Sequence, residues 1–319
     1  MTARVPVLLW TDRTDAYRRA IEEVGLANRV ELLTLARAET PTPDQLARTE
    51  ALMAVGAPAG LLPRFARLRW AQAMTAGVEG WLALPDLPAG LALTCARGTH
   101  TDSMPENILG ALFFAAKPYR AAMEAQRESR WVASVAEPLR GKTLGILGVG
   151  AIGAEVARLA SAFGIKVVGT RRTPDAVPHV ERILPPEGSD EVLAQADFVL
   201  LLLPATPATD NFIDAARLAR MKSTAWLLNF GRGHTIRDED LVAAVSGKRI
   251  AGAVLDVFRQ EPLPAAHPFW TTPGIHVLPH IGGPHPRRDS FVAALFVDNL
   301  RRFLDGAPLR ELVDRSRGY

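Results

Sequence analysis

The sequence is poor in cysteine, and this scarcity narrows the chemistry open to the chain. Cys95 is the single cysteine among 319 residues. One cysteine excludes an intramolecular disulfide and a cysteine metal cluster. We therefore expect a protein of a reducing compartment with no metal site.

Long apolar runs and clustered positive charge are also missing. Apolar stretches such as Phe198 to Leu203 are too short to cross a bilayer. Residues 1–10 lack the cationic flank and cleavage site of a signal peptide. The 37 basic and 34 acidic residues leave a net charge of +3, without a basic stripe carrying interleaved aromatics. These features predict a cytoplasmic protein without a membrane or nucleic-acid partner.

What is present is the rhythm of a two-domain α/β protein. Hydrophobic residues make up 48% of the chain, enough for a large core. Short apolar runs alternate with helical patterns, which predicts parallel sheets with helices on both faces. The strand candidates are Val5–Trp10, Val30–Leu35, Ala51–Val55, Leu68–Met74, Leu91–Cys95, Leu144–Leu147, Lys166–Thr170, Phe198–Leu203, Thr224–Asn229, Ile250–Leu255 and Ile275–Leu278. We predict two doubly wound, Rossmann-like domains with a cleft between them.

The chain is expected to pass between the two domains twice, which sets the domain boundaries. Residues 1–97 and 288–319 would form a discontinuous substrate domain, and residues 98–287 a dinucleotide-binding domain. Ser103 to Tyr119 is predicted as one long connecting helix, capped by Asp102 or Ser103. The last helix, Arg288 to Phe303, would pack on the first sheet through Phe291, Leu295 and Phe296.

An apolar strand enters a glycine turn in the middle of the chain, and an amphipathic helix leaves it. The spacing is G-x-G-x-x-G, with Gly148, Gly150 and Gly153. Gly148 would permit the tight turn, Gly150 the close approach of a pyrophosphate, and Gly153 close packing of helix on strand. The amides of Ala151 and Ile152 would face the phosphate charge. Although ordinary glycine turns also show this pattern, the flanking elements favour a dinucleotide site.

The end of the next strand indicates which dinucleotide binds. An NAD site usually places Asp or Glu there for the ribose hydroxyls, whereas this chain has Arg171 and Arg172. Two guanidinium groups can hold a 2′-phosphate by charge-assisted bonds. We expect NADP(H) to be preferred and NAD(H) to be possible. The alternative is that both arginines coat a solvated strand end.

Three later segments carry polar residues that local folding does not require. They are Asn229-Phe230-Gly231-Arg232-Gly233, Asp256-Val257-Phe258-Arg259-Gln260-Glu261-Pro262-Leu263-Pro264 and Leu278-Pro279-His280-Ile281-Gly282-Gly283. Each follows a predicted strand, and ligands of open α/β sheets bind at the carboxyl ends of strands. With the glycine turn, these segments resemble the D-isomer-specific 2-hydroxyacid dehydrogenase family, closest to its NADP-using glyoxylate and hydroxypyruvate reductases.

The resemblance implies three catalytic residues, and each suits its role chemically. Arg232 can fork onto the carboxylate and carbonyl oxygens of a 2-oxo acid. His280 can donate a proton to the ketone oxygen as hydride arrives. Glu261 would orient the His280 ring and favour its imidazolium form. A formate dehydrogenase of similar sequence would carry glutamine at the position of Glu261.

The resemblance also implies a wider binding set. For the cofactor, the additional candidates are Leu203, Pro204, Thr209, Phe230, Gly231, Asp256, His280 and Gly282. Asp256 would accept a hydrogen bond from the nicotinamide carboxamide. For the substrate carboxylate, the candidates besides Arg232 are the backbone amides around Ala76, Gly77 and Val78. Asn107 departs from the family, which commonly has histidine or an aromatic residue there.

These expectations converge on an NADPH-dependent reductase of a small 2-oxo acid, such as glyoxylate or hydroxypyruvate. The family implies a homodimer, with the helix after Ser103 at the interface. Two alternatives stay open: an NAD-preferring oxidiser of D-2-hydroxy acids, and a non-enzymatic NADP(H) sensor or co-regulator. The intact set of Arg232, Glu261 and His280 argues against the sensor.

Overall fold

A computed structural model describes residues 4–318, which form two compact units. The first unit contains the chain up to Thr99 and from His285 onward, and the second runs from His100 to Pro284. Both units are built on sheets whose named strand pairs are all parallel. The predicted pair of parallel-sheet α/β domains is therefore confirmed. Within the described residues, no helix is both long and apolar enough to cross a membrane.

The first unit is a five-stranded sheet with strand order β2-β1-β3-β4-β5. Its elements are β1 (Val5–Trp10), α1 (Thr14–Glu23), β2 (Val30–Leu35), α2 (Pro43–Arg48), β3 (Ala51–Ala54), β4 (Trp70–Ala73), α3 (Glu79–Leu82) and β5 (Ala92–Thr94). The last helix of the chain, labelled α10 below (Arg288–Asp305), returns to this unit. Its residue Phe296 is fully buried and stacks on Trp70 of β4 at 5.5 Å between ring centroids.

The second unit is a seven-stranded sheet with strand order β12-β11-β10-β9-β6-β7-β8. Its elements are α4 (Ser103–Ala116), α5 (Tyr119–Arg127), β6 (Thr143–Leu147), α6 (Ala151–Ala162), β7 (Lys166–Thr170), β8 (Arg182–Leu184), α7 (Ser189–Gln195), β9 (Phe198–Leu201), α8 (Ala215–Leu218), β10 (Trp226–Asn229), α9 (Asp238–Ser246), β11 (Gly252–Leu255) and β12 (Ile275–Val277). The order reverses direction at β6, where the chain crosses from one half of the sheet to the other. The carboxyl ends of β6, β9, β10 and β11 therefore lie side by side.

The structure departs in part from three local predictions. The single helix predicted to Tyr119 ends at Ala116, because Lys117 is extended before Pro118 and a residue before proline avoids the helical region. Asp102 occupies the N-cap position of α4, one of the two positions predicted, but its side chain makes no capping bond. On α10, Phe291 and Leu295 are only partly buried, and the packed face is formed by Val292, Ala293, Phe296, Val297 and Leu300.

The sequence also gave no sign of β8. This edge strand, Arg182–Leu184, is three residues long and is not fully buried at any position. It pairs only with β7 among the named strands, so long-range hydrogen bonding rather than apolar periodicity defines it.

Candidate active site

The turn after β6 requires glycine at Gly148. Its φ is +99°, and a Cβ there would lie 2.9 Å from the carbonyl oxygen of Leu202. The amides of Gly148 and Val149 both donate to the carbonyl of Thr170 at the end of β7, at 3.0 and 2.8 Å. The turn is thus fixed to the neighbouring strand before α6 begins.

The space beside Gly150 fits an incoming phosphate. A Cβ built at Gly150 would meet nothing within 4 Å, so the backbone there is open. Ala151, Ile152 and Gly153 form the first turn of the twelve-residue helix α6, whose leading amides carry partial positive charge. Gly153 is less constrained than expected, since its Cβ would lie 3.4 Å from its nearest neighbours, an ordinary contact. The residues present therefore suit the pyrophosphate of a dinucleotide.

A glycine inside β7 was missed by the sequence analysis. A Cβ at Gly169 would lie 2.4 Å from Cγ2 of Val149 and 2.7 Å from the carbonyl oxygen of Ile146. The turn can pack on β7 only because this position has no side chain. The available signal was the glycine itself, in the interior of an otherwise apolar strand.

The two arginines expected to select the cofactor lie just beyond β7. The amide of Arg171 donates to the carbonyl of Leu184 in β8 at 3.0 Å, which ties its backbone to the sheet edge. Arg171 is partly buried and Arg172 is exposed. The edge strand missed by the sequence analysis thus anchors the backbone that carries this pair.

Asn229 at the end of β10 shapes the loop that carries Arg232. Its fully buried side chain accepts from the amide of Gly231 at 3.1 Å and donates to the carbonyl of Arg232 at 3.1 Å. The hydroxyl of Thr235 donates to the same carbonyl at 2.7 Å. The Arg232 guanidinium donates to the carbonyl of Gly231 at 2.8 Å. The loop backbone is consequently held from both sides, which fixes where the arginine side chain begins.

The backbones of two neighbouring loops pack closely on Gly231 and Gly233. A Cβ at Gly231 would lie 2.8 Å from the carbonyl oxygen of Leu203, in the loop after β9. A Cβ at Gly233 would lie only 1.9 Å from the carbonyl carbon of Phe258, in the loop after β11. Both glycines are therefore required by close backbone approach. The loops after β9, β10 and β11 meet at one edge of the sheet.

Glu261 and His280 form the central contact of this edge. Nδ1 of His280 lies 2.6 Å from Oε2 of Glu261, and Oε1 of the same carboxylate accepts from the amide of Phe258 at 2.9 Å. With a carboxylate as partner, Nδ1 carries the proton that it shares, and Nε2 faces away from that bond. The His280 side chain is 52% exposed and that of Glu261 35%, so the ring is supported on one side and accessible on the other.

The backbone around His280 is held by a buried acid. Asp256, only 1% exposed, accepts from the amides of Ile281 at 2.8 Å and Gly282 at 3.0 Å. Burial raises the pKa of Asp256, while these amides, which favour its charged form, oppose the rise. A Cβ at Gly282 would lie 2.6 Å from Oδ2 of Asp256 and 2.8 Å from the ring of Phe230. In this structure the carboxylate supports the His280 loop, and its expected bond to the carboxamide stays a prediction.

A second support comes from α4 and was missed by the sequence analysis. Nδ2 of Asn107 donates to the carbonyl of Gly282 at 3.0 Å. The residue had drawn notice only as a departure from the family pattern. Amides of the His280 loop are thus bound by Asp256, and a carbonyl by Asn107.

The remaining candidates lie in two separate loops. After β9, the hydroxyl of Thr209 donates to the carbonyl of Pro204 at 2.6 Å and accepts from the amide of Thr206 at 2.9 Å, which closes that loop on itself. In the first unit, Ala76, Gly77 and Val78 lie between β4 and α3, where the hydroxyl of Thr75 donates to the carbonyl of Gly77 at 2.6 Å.

Comparison with known proteins finds relatives along most of the chain. Residues 109–282 match the sequence model of the D-isomer specific 2-hydroxyacid dehydrogenase, NAD binding domain. Glyoxylate/hydroxypyruvate reductase B of Yersinia enterocolitica is 31% identical over 259 residues, which cover 79% of this chain and 79% of that protein.

Solved structures resemble the whole chain. A D-isomer specific 2-hydroxyacid dehydrogenase from Xanthobacter autotrophicus Py2, in complex with NADPH and MES, superposes with a TM-score of 0.89 at 28% identity, covering 99% of this chain and 100% of that one. An NADPH-dependent glyoxylate/hydroxypyruvate reductase from Sinorhizobium meliloti, in complex with NADP and sulfate, gives a TM-score of 0.86 at 27% identity with the same coverage.

Proposed function

This chain belongs to the D-isomer specific 2-hydroxyacid dehydrogenase family, and we propose that it reduces a small 2-oxo acid, such as glyoxylate or hydroxypyruvate, to the D-2-hydroxy acid with NADPH. The observation that carries the proposal is the 2.6 Å contact between Nδ1 of His280 and Oε2 of Glu261, at the strand edge that also holds Arg232. The expectation from the sequence that the chain is an oxidoreductase of this family is confirmed by the comparisons.

In the proposed reaction His280 is the proton donor. Its Nδ1 proton is held by Glu261, so the proton on Nε2 is the one available to the ketone oxygen. The carboxylate stabilises the imidazolium that must be present before the transfer, and it accepts the same Nδ1–H afterwards. In the reverse direction the neutral ring accepts the proton from the hydroxyl.

Arg232 is proposed to orient the substrate. A planar guanidinium can bind a carboxylate and the adjacent carbonyl oxygen together, which a lysine cannot do. It also stabilises negative charge that develops on that oxygen. The pinned backbone from Asn229 to Thr235 supports this role because it fixes the starting point of the side chain. Ala76, Gly77 and Val78 remain a separate proposal for substrate binding by the first unit.

The dinucleotide is proposed to lie along the Gly148 turn and the amino end of α6. When bound, a reduced nicotinamide would supply hydride to the carbonyl carbon. Arg171 and Arg172 are proposed to favour the 2′-phosphate of NADPH. The complexes of the two structural relatives with NADPH and NADP support this choice of cofactor.

We also propose a homodimer, as the family implies. Trp131 is 98% exposed and Val135 97% exposed. They lie between α5 and β6, where residues 128–139 form neither helix nor strand. Apolar side chains presented this fully are typical of an interface.

The direct test is turnover. Purified protein mixed with NADPH and either glyoxylate or hydroxypyruvate should lower the nicotinamide absorbance. His280→Ala should abolish that turnover while NADPH affinity, measured by fluorescence titration, changes little. An absence of turnover across a broad panel of 2-oxo acids, with NADPH still bound, would favour the sensor alternative.

A further inference from the structure

Arg259 lies two residues before Glu261, and its guanidinium reaches into the loop that follows Arg232. Nε donates to the carbonyl of Ile236 at 3.0 Å. Nη2 donates to the carbonyls of His234 at 2.9 Å and Ile236 at 2.8 Å. The side chain of one catalytic loop therefore binds the backbone of another.

The same guanidinium holds a third loop, the one that follows Thr209. Nη1 lies 3.3 Å from Oδ1 of Asp210, and Nη2 donates to Oδ1 of Asn211. The amide of Asn211 in turn donates to the carbonyl of His234 at 2.8 Å. Five contacts of one side chain thus join the loops after β9, β10 and β11.

The surroundings favour a fixed guanidinium. The Arg259 side chain is only 30% exposed, and the carboxylate of Asp238 lies 3.9 Å from its Nε. Asp238 is itself 3.3 Å from Nε2 of His267. Because Gly233 has no side chain, the backbone at Phe258 packs directly on it. The next residue, Arg259, adds hydrogen bonds to the backbone on the other side of Gly233.

We propose that Arg259 is a positioning residue that sets the distance between Arg232 and the carboxylate of Glu261. A guanidinium can satisfy several carbonyls and a carboxylate at fixed angles, which neither a single ammonium nor apolar packing can do. Arg259 acts through the two loops and does not touch the substrate. This inference rests on the proposed function and deepens it, because it assigns the residue that keeps Arg232, the proposed substrate-binding side chain, at a fixed distance from Glu261, the partner of His280.

The experiment compares Arg259→Ala and Arg259→Lys with Arg302→Ala. Arg302 is a matched control because its side chain is 30% exposed and it also binds a carboxylate, that of Asp298, and a carbonyl, that of Pro308. Both acceptors belong to the first unit, outside the three loops that Arg259 joins. For each protein, kcat and KM for the 2-oxo acid, the Kd for NADPH and the amide hydrogen exchange of the three loops are measured.

Arg259→Ala should lower kcat and raise KM for the 2-oxo acid, with kcat/KM falling about tenfold or more, as expected for small misplacements of catalytic groups. The Kd for NADPH should stay within about twofold, because the Gly148 turn is separate from these bonds. Arg259→Lys should follow the alanine variant, and exchange should rise in residues 210–213 and 233–237 but not in α6. Arg302→Ala should retain wild-type kinetics.

Unchanged kcat and KM in Arg259→Ala, or the same losses in Arg302→Ala, would overturn the inference. If wild-type protein turns over no 2-oxo acid, the proposed function fails by itself. In that case hydrogen exchange still decides whether Arg259 joins the loops, and unchanged exchange in Arg259→Ala would refute it.

Discussion

Glu261→Gln removes one charge and keeps the shape of the side chain that supports His280. One oxygen of glutamine can still accept from the amide of Phe258, which now lies 2.9 Å from Oε1. The amide nitrogen then faces Nδ1 at the position where Oε2 lies 2.6 Å away. Because that nitrogen donates, it favours a neutral ring with an unprotonated Nδ1 and disfavours imidazolium.

The magnitude follows from the bond that is lost. A hydrogen bond to a charged group contributes about 1.5–3 kcal/mol, which corresponds to a loss of about 10- to 150-fold in kcat/KM for reduction. The effect on folding stability should be much smaller, since the pair is partly solvated. The assay is the initial rate of NADPH oxidation with the best 2-oxo acid, at several pH values and at saturating cofactor.

Glu311→Gln is the matched control. Glu311 is 34% exposed and pairs with Arg97 at 3.1 Å, which resembles the setting of Glu261 without a histidine partner. We expect wild-type rates from this control. If Glu261→Gln retains kcat/KM within about threefold of wild type while binding NADPH normally, the role assigned to the carboxylate is wrong.

Four further outcomes are expected. Gly148→Ala should lower the free energy of unfolding by about 1–3 kcal/mol and weaken NADPH binding, because φ at Gly148 is +99° and the new Cβ would meet a carbonyl oxygen. Denaturant unfolding measures the first effect and cofactor titration the second. Arg171→Asp should shift the ratio of kcat/KM values toward NADH. Burial lowers the pKa of His276 from 6.5, so the neutral form stabilises the fold above that pH and this contribution is lost as the pH falls. In a plot of unfolding free energy against pH, His276→Leu should therefore reduce the slope on the acid side by up to about 1.4 kcal/mol per pH unit. Trp131→Ser should weaken the proposed dimer in sedimentation experiments while leaving the monomer folded.

The fold was largely predictable because parallel strands that are buried on both faces consist of continuous apolar runs in the sequence. Residues 5–10, 30–35 and 166–170 form strands with the predicted bounds. Other strands are shorter than their apolar runs; β9, for example, ends at Leu201 while the run continues to Leu203. The final residues of such runs serve the loops at the sheet edge, and periodicity cannot separate the two uses.

The sequence pointed to Arg232, Glu261 and His280 because few residue types suit the proposed chemistry, and the structure brings His280 and Glu261 into contact, while their catalytic roles stay predictions. Their supports were not predictable. Asn107 contacts the carbonyl of a residue 175 positions away, and the contacts of Arg259 span three loops. Polar residues in such positions look like ordinary surface residues until the fold brings their acceptors together.

The buried carboxylate of Asp256 grips main-chain amides rather than side chains, and this has a consequence for how the loop can change over time. Any residue except proline offers the amide that is needed at position 281, and the Ile281 side chain is 49% exposed. Position 282 has no such freedom, because a methyl group there would strike both the acid and Phe230. Next to His280, substitution is therefore tolerated at position 281 and excluded at position 282.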